Sequence, residues 1–506
     1  MLTTLNAKYI HAAFGLRYLL ANLGELKSRA EIAEFDINQR PVDIAEQLLA
    51  RNPRLIGFGI YIWNVAQTTE VISTIKRVRP EIVVVLGGPE VSYETNGQKI
   101  VELADYVITG EADLKFAEVC GKILGSTAAQ PRLPKVIPSE LPDMANLALP
   151  YELYTTDDIA HRIIYVEASR GCPFTCEFCL SSLDVPVRQV PLPALLDQLQ
   201  GLLDRGVKQF KFVDRTFNLN VNISKAILEF FHARYQPGHF FHFEMVPDRL
   251  PETLRESIAA FPPGALQFEV GVQTFNEEVG GLIKRRQNYE RLEDNFQFLR
   301  TQTGVHIHAD LIVGLPGETV ESFAGGFDRL IALGPQEIQV GLLKRLRGTP
   351  IVRHDAEWQM VYNPHSPYEI LQNKLIDFAT MQKLRRFARY WDMVGNSGNF
   401  IATTPLLWAD ASPFHAFLRW SEWLHGKTRR TDGIALLRLM KLMFEYLTVE
   451  IRQDPRKVAE TLWSDYKRGG RHDKPGFMKD YLPELTDKSD SRSKTALPKR
   501  QARHLV

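Results

Sequence analysis

The segment Gly171-Cys-Pro-Phe-Thr-Cys-Glu-Phe-Cys-Leu180 places three cysteines, Cys172, Cys176 and Cys179, in one decapeptide. A run of thiolates this tight suits a metal site, and three of them on a cluster of about four irons leave one iron open to bind something else. A zinc knuckle would want a fourth Cys or His at a regular offset, yet the next histidine is His232 and the remaining cysteine, Cys120, is remote. Cys120 by itself reads as a small buried hydrophobe. With four cysteines in 506 residues, three of them in this motif, a disulfide-stabilised secreted protein is excluded.

The length exceeds what one hydrophobic core organises and predicts about three domains. A net charge of +1 gives no global attraction to nucleic acid or membrane. Met1 to Asn6 carries no basic region followed by an apolar run, and no stretch of about 18 apolar residues occurs, so a cytoplasmic enzyme without a membrane partner is expected.

A Cys-x-x-x-Cys-x-x-Cys run with an aromatic residue, Phe178, before its last cysteine resembles the radical S-adenosylmethionine (SAM) enzymes. The resemblance implies a [4Fe-4S] cluster on Cys172, Cys176 and Cys179, SAM chelated to the open iron, and one-electron cleavage of SAM to a 5'-deoxyadenosyl radical. An electron donor such as flavodoxin or ferredoxin is implied with it.

In residues 1–125, short apolar runs alternate with amphipathic segments. Strands are expected at Met1 to Leu5, Ala30 to Ile37, Leu55 to Ile62, Ile82 to Leu86 and Asp105 to Thr109, which predicts an α/β, doubly wound Rossmann or flavodoxin-like domain. Ligands of such sheets bind at the carboxyl ends of the strands. The residues there are Asn6 to His11, Tyr61-Ile-Trp-Asn64, Gly87-Gly-Pro-Glu90 and Gly110-Glu-Ala-Asp113. In front of a radical SAM core, this order resembles the cobalamin-binding domain of the cobalamin-dependent radical SAM enzymes. The resemblance implies cobalamin contacts from Asn6, Tyr9, Tyr61, Trp63, Asn64, Gly87, Gly88, Pro89, Glu90, Gly110 and Glu111. No Asp-x-His-x-x-Gly motif supplies a histidine to cobalt, and His11 reads as a helix-start or surface residue. The bland alternative is a module without ligand that serves as a lid.

Residues 126–162, with five prolines between Pro131 and Pro150, read as a linker. Residues 163–355 then alternate strand and helix patterns. Strands at Ile163 to Ala168, Lys208 to Val213, Phe240 to Met245, Leu266 to Gly271, Val305 to Val313 and Glu337 to Leu343 predict a partial (β/α)6 TIM-type barrel with its site at the carboxyl-terminal rim. Polar residues recur at those strand ends: Asp214, Glu244, Gln273 and Asp310. These segments are similar to those of the oxygen-independent coproporphyrinogen oxidases and the radical SAM methylthiotransferases. That likeness implies Glu244 on the SAM amino group, Arg285 on its carboxylate, Gln273 as a further contact, Asp310 at the ribose hydroxyls and Phe178 near the adenine. An ammonium wants a carboxylate, a carboxylate wants a guanidinium fork, and a diol suits an Asp acceptor. Lys284 and Arg286 are rival cations to Arg285. Asp214 and Asn218 are expected to face the cavity, Asp214 with a catalytic role on substrate or cofactor.

Residues 356–487 hold six of the seven tryptophans and helix formers such as Leu436 to Leu447, and predict a helical C-terminal domain that closes the barrel mouth. They resemble the extension of one uncharacterised group of cobalamin-dependent radical SAM proteins. The cationic, aromatic run Arg385 to Trp391 reads as an amphipathic helix, not a nucleic-acid surface. Residues 488–506 are basic and poor in apolar residues, the pattern of a disordered tail.

The expected function is methylation of an unactivated carbon of an unknown substrate through a 5'-deoxyadenosyl radical and methylcobalamin. Rival readings are a radical oxidation, cyclisation or rearrangement without methyl transfer, and a non-catalytic iron-sulfur RNA-binding adaptor. A methylthiotransferase would carry a second three-cysteine cluster, for which only Cys120 is left.

Overall fold

Strands buried on both faces need apolar side chains at consecutive positions, and Leu55–Gly59 (β3), Val83–Gly87 (β4) and Tyr106–Thr109 (β5) meet that need in the computed structural model of the chain. The structure describes residues 1–125, 133–184, 186–409, 411–482 and 498–504. They form two compact units. The first comprises residues 1–215, 344–350 and 363–369, and the second residues 216–343, 351–362 and 370–506.

In the first unit, Leu2–Asn6 (β1) and Ile32–Asp36 (β2) join the three strands above and Val136–Pro138 (β6) in one parallel sheet of order β2-β1-β3-β4-β5-β6. β1 has five residues, as many as β2, β3 and β4. On one face, Ile44 and Leu48 of helix Pro41–Leu49 and Val71, Ile72 and Ile75 of helix Val65–Val78 pack with Ile56, Val84 and Leu86. On the other, Leu16 of helix Phe14–Ala21 and Phe116 and Val119 of helix Lys115–Gly125 pack with Leu55, Val85 and Ile108. Helices on both faces make the sheet doubly wound, as expected, and the chain order reverses between β1 and β3, where such folds open a ligand crevice. β6 lies in the stretch expected to be linker. A three-residue edge strand ending in Pro138 is compatible with a missing N–H donor.

The two later segments of this unit engage the loop after β4. Tyr368 donates its hydroxyl to Glu90 Oε1 at 2.5 Å, Arg347 Nε donates to the same oxygen at 3.0 Å, and Arg345 donates to Glu94 at 2.9 Å. Ile164–Val166 (β7) and Gln209–Phe212 (β10) pair in parallel, and between them Ser169–Arg170 (β8) and Arg188–Gln189 (β9) pair antiparallel.

In the second unit, Phe240–Met245 (β11), Leu266–Gln273 (β12), His306–Val313 (β13) and Glu337–Leu342 (β14) pair in parallel in chain order. With β7 and β10 these are the six parallel strands expected of a partial barrel. Helices Phe378–Met393 and Pro413–Thr428 bury Phe387, Trp391, Phe414, Phe417 and Trp420 against Phe327 of helix Val320–Leu333. The C-terminal region is helical, as expected, and its cationic run lies on a helix whose Arg386 forks onto Glu422 with two bonds of 2.9 Å. Residues 488–497 of the expected disordered tail lie outside the described residues. Lys499–His504 departs from that expectation and forms a helix: Arg500 Nε meets Glu337 at 2.8 Å and Gln501 donates to Gln267 at 2.8 Å. Charge complementarity to a buried carboxylate orders a stretch with little apolar surface of its own. Among the described residues, no helix is long and apolar enough to cross a membrane.

Glu318, between β13 and helix Val320–Leu333, is buried and accepts from Thr274 Oγ1 at 2.6 Å. Burial pushes its carboxyl up to about 7. An unfolded chain ionises the group near pH 4, roughly, so the folded state loses stability as pH rises from there through 7. Glu318→Gln keeps an acceptor for Thr274 and removes this pH dependence. Thermal unfolding should show the variant matching the parent at pH 4.5 and exceeding it at pH 8 by on the order of a few kcal/mol.

Candidate functional site

Side chains alternate across a strand, so Gly57 and Gly59 of β3, Val85 and Gly87 of β4, and Ile108 and Gly110 at the end of β5 look out on one face of the first sheet. The missing side chains leave a cavity of about 310 Å³ between these strands and helices Phe14–Ala21 and Lys115–Gly125, lined also by Gly15, Leu16, Tyr61, Gly88, Glu111, Asp113 and Phe116. A Cβ at Gly59 or Gly87 would meet protein atoms only at ordinary contact, 3.5 and 3.7 Å, so packing does not demand glycine there. What a larger side chain would fill is the cavity. Gly88 is different: its φ is +104° and a Cβ would lie 2.5 Å from Ile60 O, so the backbone itself needs glycine.

The same cavity is bounded by Glu167, Ser169, Arg170 and Gly171 before the cysteine loop, by Ser181 and Asp184 after it, and by Val213 and Arg215 beyond β10. That loop leaves β8 at Gly171, whose φ is +91° and whose Cβ would lie 2.7 Å from Asp184 O, and Cys172 N donates to the same carbonyl at 3.1 Å. Cys172 and Cys176 are buried, Cys179 is half-exposed, and Phe178 is half-buried beside them. Among the described residues, no three His, Cys, Asp or Glu side chains already form a metal cage. The fit of an iron-sulfur cluster rests on the donor set, three cysteines on one loop.

An ion network lines the wall between strand ends and loop. Arg170 donates to Glu167 at 2.9 Å, to Glu111 at 2.9 Å and to Asp113 at 2.8 and 3.2 Å, with Tyr18 under its guanidinium at 4.5 Å. Arg188 donates to Glu111 through both terminal nitrogens, one bond being 3.0 Å, and to Asp184 at 2.9 Å. Burial works against the Glu111 carboxylate, but the hydrogen bond from Arg188 and the charge of Arg170 hold it below the usual range. Asp214 accepts from Ala168 N at 2.9 Å and from the Ser169 hydroxyl at 2.6 Å; burial pushes it up to about 7. It braces the two residues before Arg170.

The structure brings Tyr61, Gly87, Gly88, Gly110 and Glu111 to the cavity. The other strand-end residues lie elsewhere in the first unit. Asn64 is fully buried and ties two strand ends together, accepting from Tyr61 N at 2.9 Å and donating to Leu5 O and Gly59 O at 3.1 Å. Asn6 donates to Glu34 at 3.0 Å, Tyr9 is exposed and donates to Asp157 at 2.8 Å, and Trp63 is exposed and stacks on Tyr61 with centroids 4.4 Å apart. Pro89 is exposed, and Glu90 is held by Tyr368 and Arg347.

In the second unit, three expected residues converge on Gly271 of β12. Asp310 of β13 is its register partner, Arg285 donates to its carbonyl, and Gln273, with φ +72°, stands where the register slips just beyond it. Arg285 is half-buried while Lys284 and Arg286 are exposed, so the middle cation is the one turned toward the strand. Glu244 of β11 stands opposite Glu269, whose carboxylate pairs with His242 at 3.1 Å. Asn218 spends its amide on Val246 N and O at 2.8 and 2.9 Å.

Sequence reasoning missed Gly57 and Gly59, although their spacing of two in Leu-Ile-Gly-Phe-Gly places both on one strand face. It also missed Arg170, Glu167, Asp184 and Arg188, for which the adjacency of Arg170 to Gly171-Cys172 was the available signal.

Comparison with known proteins matches a B12 binding domain to residues 2–120, the Radical SAM superfamily to 166–330, and the family described as "Protein of unknown function (DUF4080)" to 356–505. The chain is 25% identical over 306 residues to an uncharacterized methyltransferase, PH0819, of Pyrococcus horikoshii, covering 55% of this chain and 64% of that one. It is 23% identical over 330 residues to the cobalamin-dependent radical SAM methyltransferase TokK of Streptomyces tokunonensis, covering 56% and 46%. Less than two thirds of either relative's length is thus matched. Among solved structures, the fold is similar to the cobalamin-dependent SAM radical enzyme OxsB, with TM-score 0.59 at 12% identity over 92% of this chain and 84% of that one. It is also similar to the radical SAM methyltransferase TsrM of Kitasatospora setae, with TM-score 0.55 at 18% identity over 72% and 79%. The chain thus carries a B12 binding domain on its first sheet and a Radical SAM superfamily domain from β7 onward, which together support a cobalamin-dependent radical SAM protein.

Proposed function

We propose that the protein binds cobalamin in the glycine-cleared cavity of the first unit, a [4Fe-4S] cluster on Cys172, Cys176 and Cys179, and SAM on residues of the second unit, and that it methylates an unactivated carbon of a substrate. The observation that carries this reading is the cavity itself. Its walls come both from the ends of β3, β4 and β5 and from the segments flanking the cysteine loop. When bound, the cluster and SAM supply a hydrogen-abstracting radical, and cobalamin supplies the methyl group. A low-potential electron donor of the flavodoxin or ferredoxin kind is required for the first of these.

The protein's own residues bind and orient. Gly59 and Gly87 leave room for the corrin, Gly110 and Glu111 border it, and the Glu111 carboxylate, kept ionised by Arg170 and Arg188, accepts amide hydrogens from its rim. Glu244 accepts from the SAM ammonium, Arg285 forks onto its carboxylate, and Asp310 accepts from the ribose diol, with Gln273 beside it. Phe178 covers the adenine. Asp214 holds the entry to the cysteine loop through Ala168 and Ser169. The mostly helical region from residue 356 onward shapes the substrate pocket.

The test is anaerobic. After reconstitution with iron and sulfide, incubation with hydroxocobalamin and desalting, about four irons and one cobalt per chain are expected. Iron without cobalt would recast residues 1–125 as a lid. A metabolite extract incubated with SAM bearing a CD3 group should then yield a labelled product. Formation of 5'-deoxyadenosine without transferred label would favour oxidation, cyclisation or rearrangement instead.

Two substitutions separate the sites. Gly87→Val, whose Cβ meets only ordinary contact in the fold, should leave the circular dichroism spectrum and iron content unchanged and cut cobalt retention at least about tenfold, some 1.4 kcal/mol. Full cobalt retention would remove the corrin from this cavity. Cys176→Ala should hold no cluster and form no 5'-deoxyadenosine, while saturating cobalamin still binds.

A further inference from the structure

We propose that Arg170 is a positioning residue through which occupancy of the cobalamin cavity and the geometry of the cysteine loop are coupled. The proposal rests on the assignment of both cofactors to the first unit. Arg170 stands in β8 directly before Gly171-Cys172, so its Cα leads into the first ligand of the cluster. Its side chain points the other way in the chemical sense. Every guanidinium nitrogen is bonded, Nε to Glu167, Nη1 to Glu111 and Asp113, and Nη2 to Asp113 and Glu167.

Glu111 and Asp113 belong to the turn after β5 and line the cobalamin cavity, as do Glu167 and Arg170 themselves. A displacement of that turn by a ligand therefore reaches the backbone before Cys172 through hydrogen bonds of 2.8 to 3.2 Å, with no flexible segment between.

Neighbouring contacts make the connection stiff. β8 is paired with β9, where Arg188, the register partner of Arg170, bonds to the same Glu111. Asp214 fixes Ala168 and Ser169 on the other side. The Tyr18 ring lies 4.5 Å under the guanidinium and restricts its rotation. A planar fork that satisfies three carboxylates at once has one favourable orientation, whereas an ammonium could satisfy them in many. Coupling between two binding sites is reciprocal: if the bound corrin favours the loop geometry that takes up the cluster, the cluster must favour the corrin by the same factor.

The measurement is the dissociation constant of hydroxocobalamin, by anaerobic spectral titration, for cluster-loaded and iron-free protein, in the parent and in Arg170→Gln. The parent should bind cobalamin about tenfold tighter with the cluster in place. Arg170→Gln should still take up each cofactor, with that ratio reduced to near one. The electron paramagnetic resonance spectrum of the reduced cluster should shift on adding cobalamin to the parent and stay fixed in the variant, a readout that a merely weakened fold would not move. Arg170→Lys, which keeps the charge without the fork, should behave like Arg170→Gln. If Arg170→Gln does not fold, Asp113→Asn, which removes the partner taking two of the bonds, should lower the ratio in the same way.

A ratio near one in the parent, or a ratio kept in both Arg170→Gln and Asp113→Asn, overturns the proposal. A parent protein that holds iron but no cobalamin overturns the two-cofactor reading beneath it, which is a different result from an uncoupled pair of bound cofactors.

Discussion

Two arginines and four carboxylates set largely out of water are an expensive arrangement, because each ion gives up several kcal/mol of hydration that only well-placed partners return. Arg170 and Arg188 are each 14% exposed, yet nearly all their donors meet Glu111, Asp113, Glu167 and Asp184 or a backbone carbonyl. Replacing such a set with apolar residues would often cost nothing in stability. Its value here is specificity of position: the turn after β5 and the start of the cysteine loop have one mutual arrangement. The cavity that both border keeps its shape for the same reason.

The strands of the first sheet were legible because burial on both faces writes itself as consecutive Val, Ile and Leu. β6 was not, since three residues inside a proline-rich stretch give no period to read. The glycines at strand ends were legible as places where a ligand can approach, but Gly57 and Gly59, inside β3, were hidden by reading the strand as an uninterrupted apolar run. Asn64 and Glu90 show another kind of limit. Both sit among strand-end residues and look like ligand contacts, whereas their polar atoms are spent on strand backbones in one case and on Tyr368 and Arg347 in the other. Partners more than 250 residues away leave no local trace in the sequence.

The second unit was read mainly through its polar residues on strands that otherwise favour Val, Ile and Leu. Alternation explains why that worked: Glu244, Glu269, His308, Asp310 and Gln339 share the inward face while Phe243, Phe268, Ile307 and Val340 fill the outer one. Arg285 could not be separated from Lys284 and Arg286 by sequence, because three adjacent cations differ only in which way the turn presents them. Basic composition likewise hid the helix Lys499–His504, whose order comes from Glu337 and Gln267 rather than from an apolar stripe of its own.

The first unit is built from pieces that end at residue 215 and resume only at 344 and 363. During synthesis at about 5–20 residues per second, its sheet emerges many seconds before Arg347 and Tyr368 leave the ribosome. Over that interval Glu90 lacks the guanidinium and hydroxyl that satisfy it in the finished fold. The loop after β4, which contributes Gly88 to the cavity, therefore reaches its final form late, and the nascent chain passes through a stage in which the sheet exists before its ligand crevice is complete.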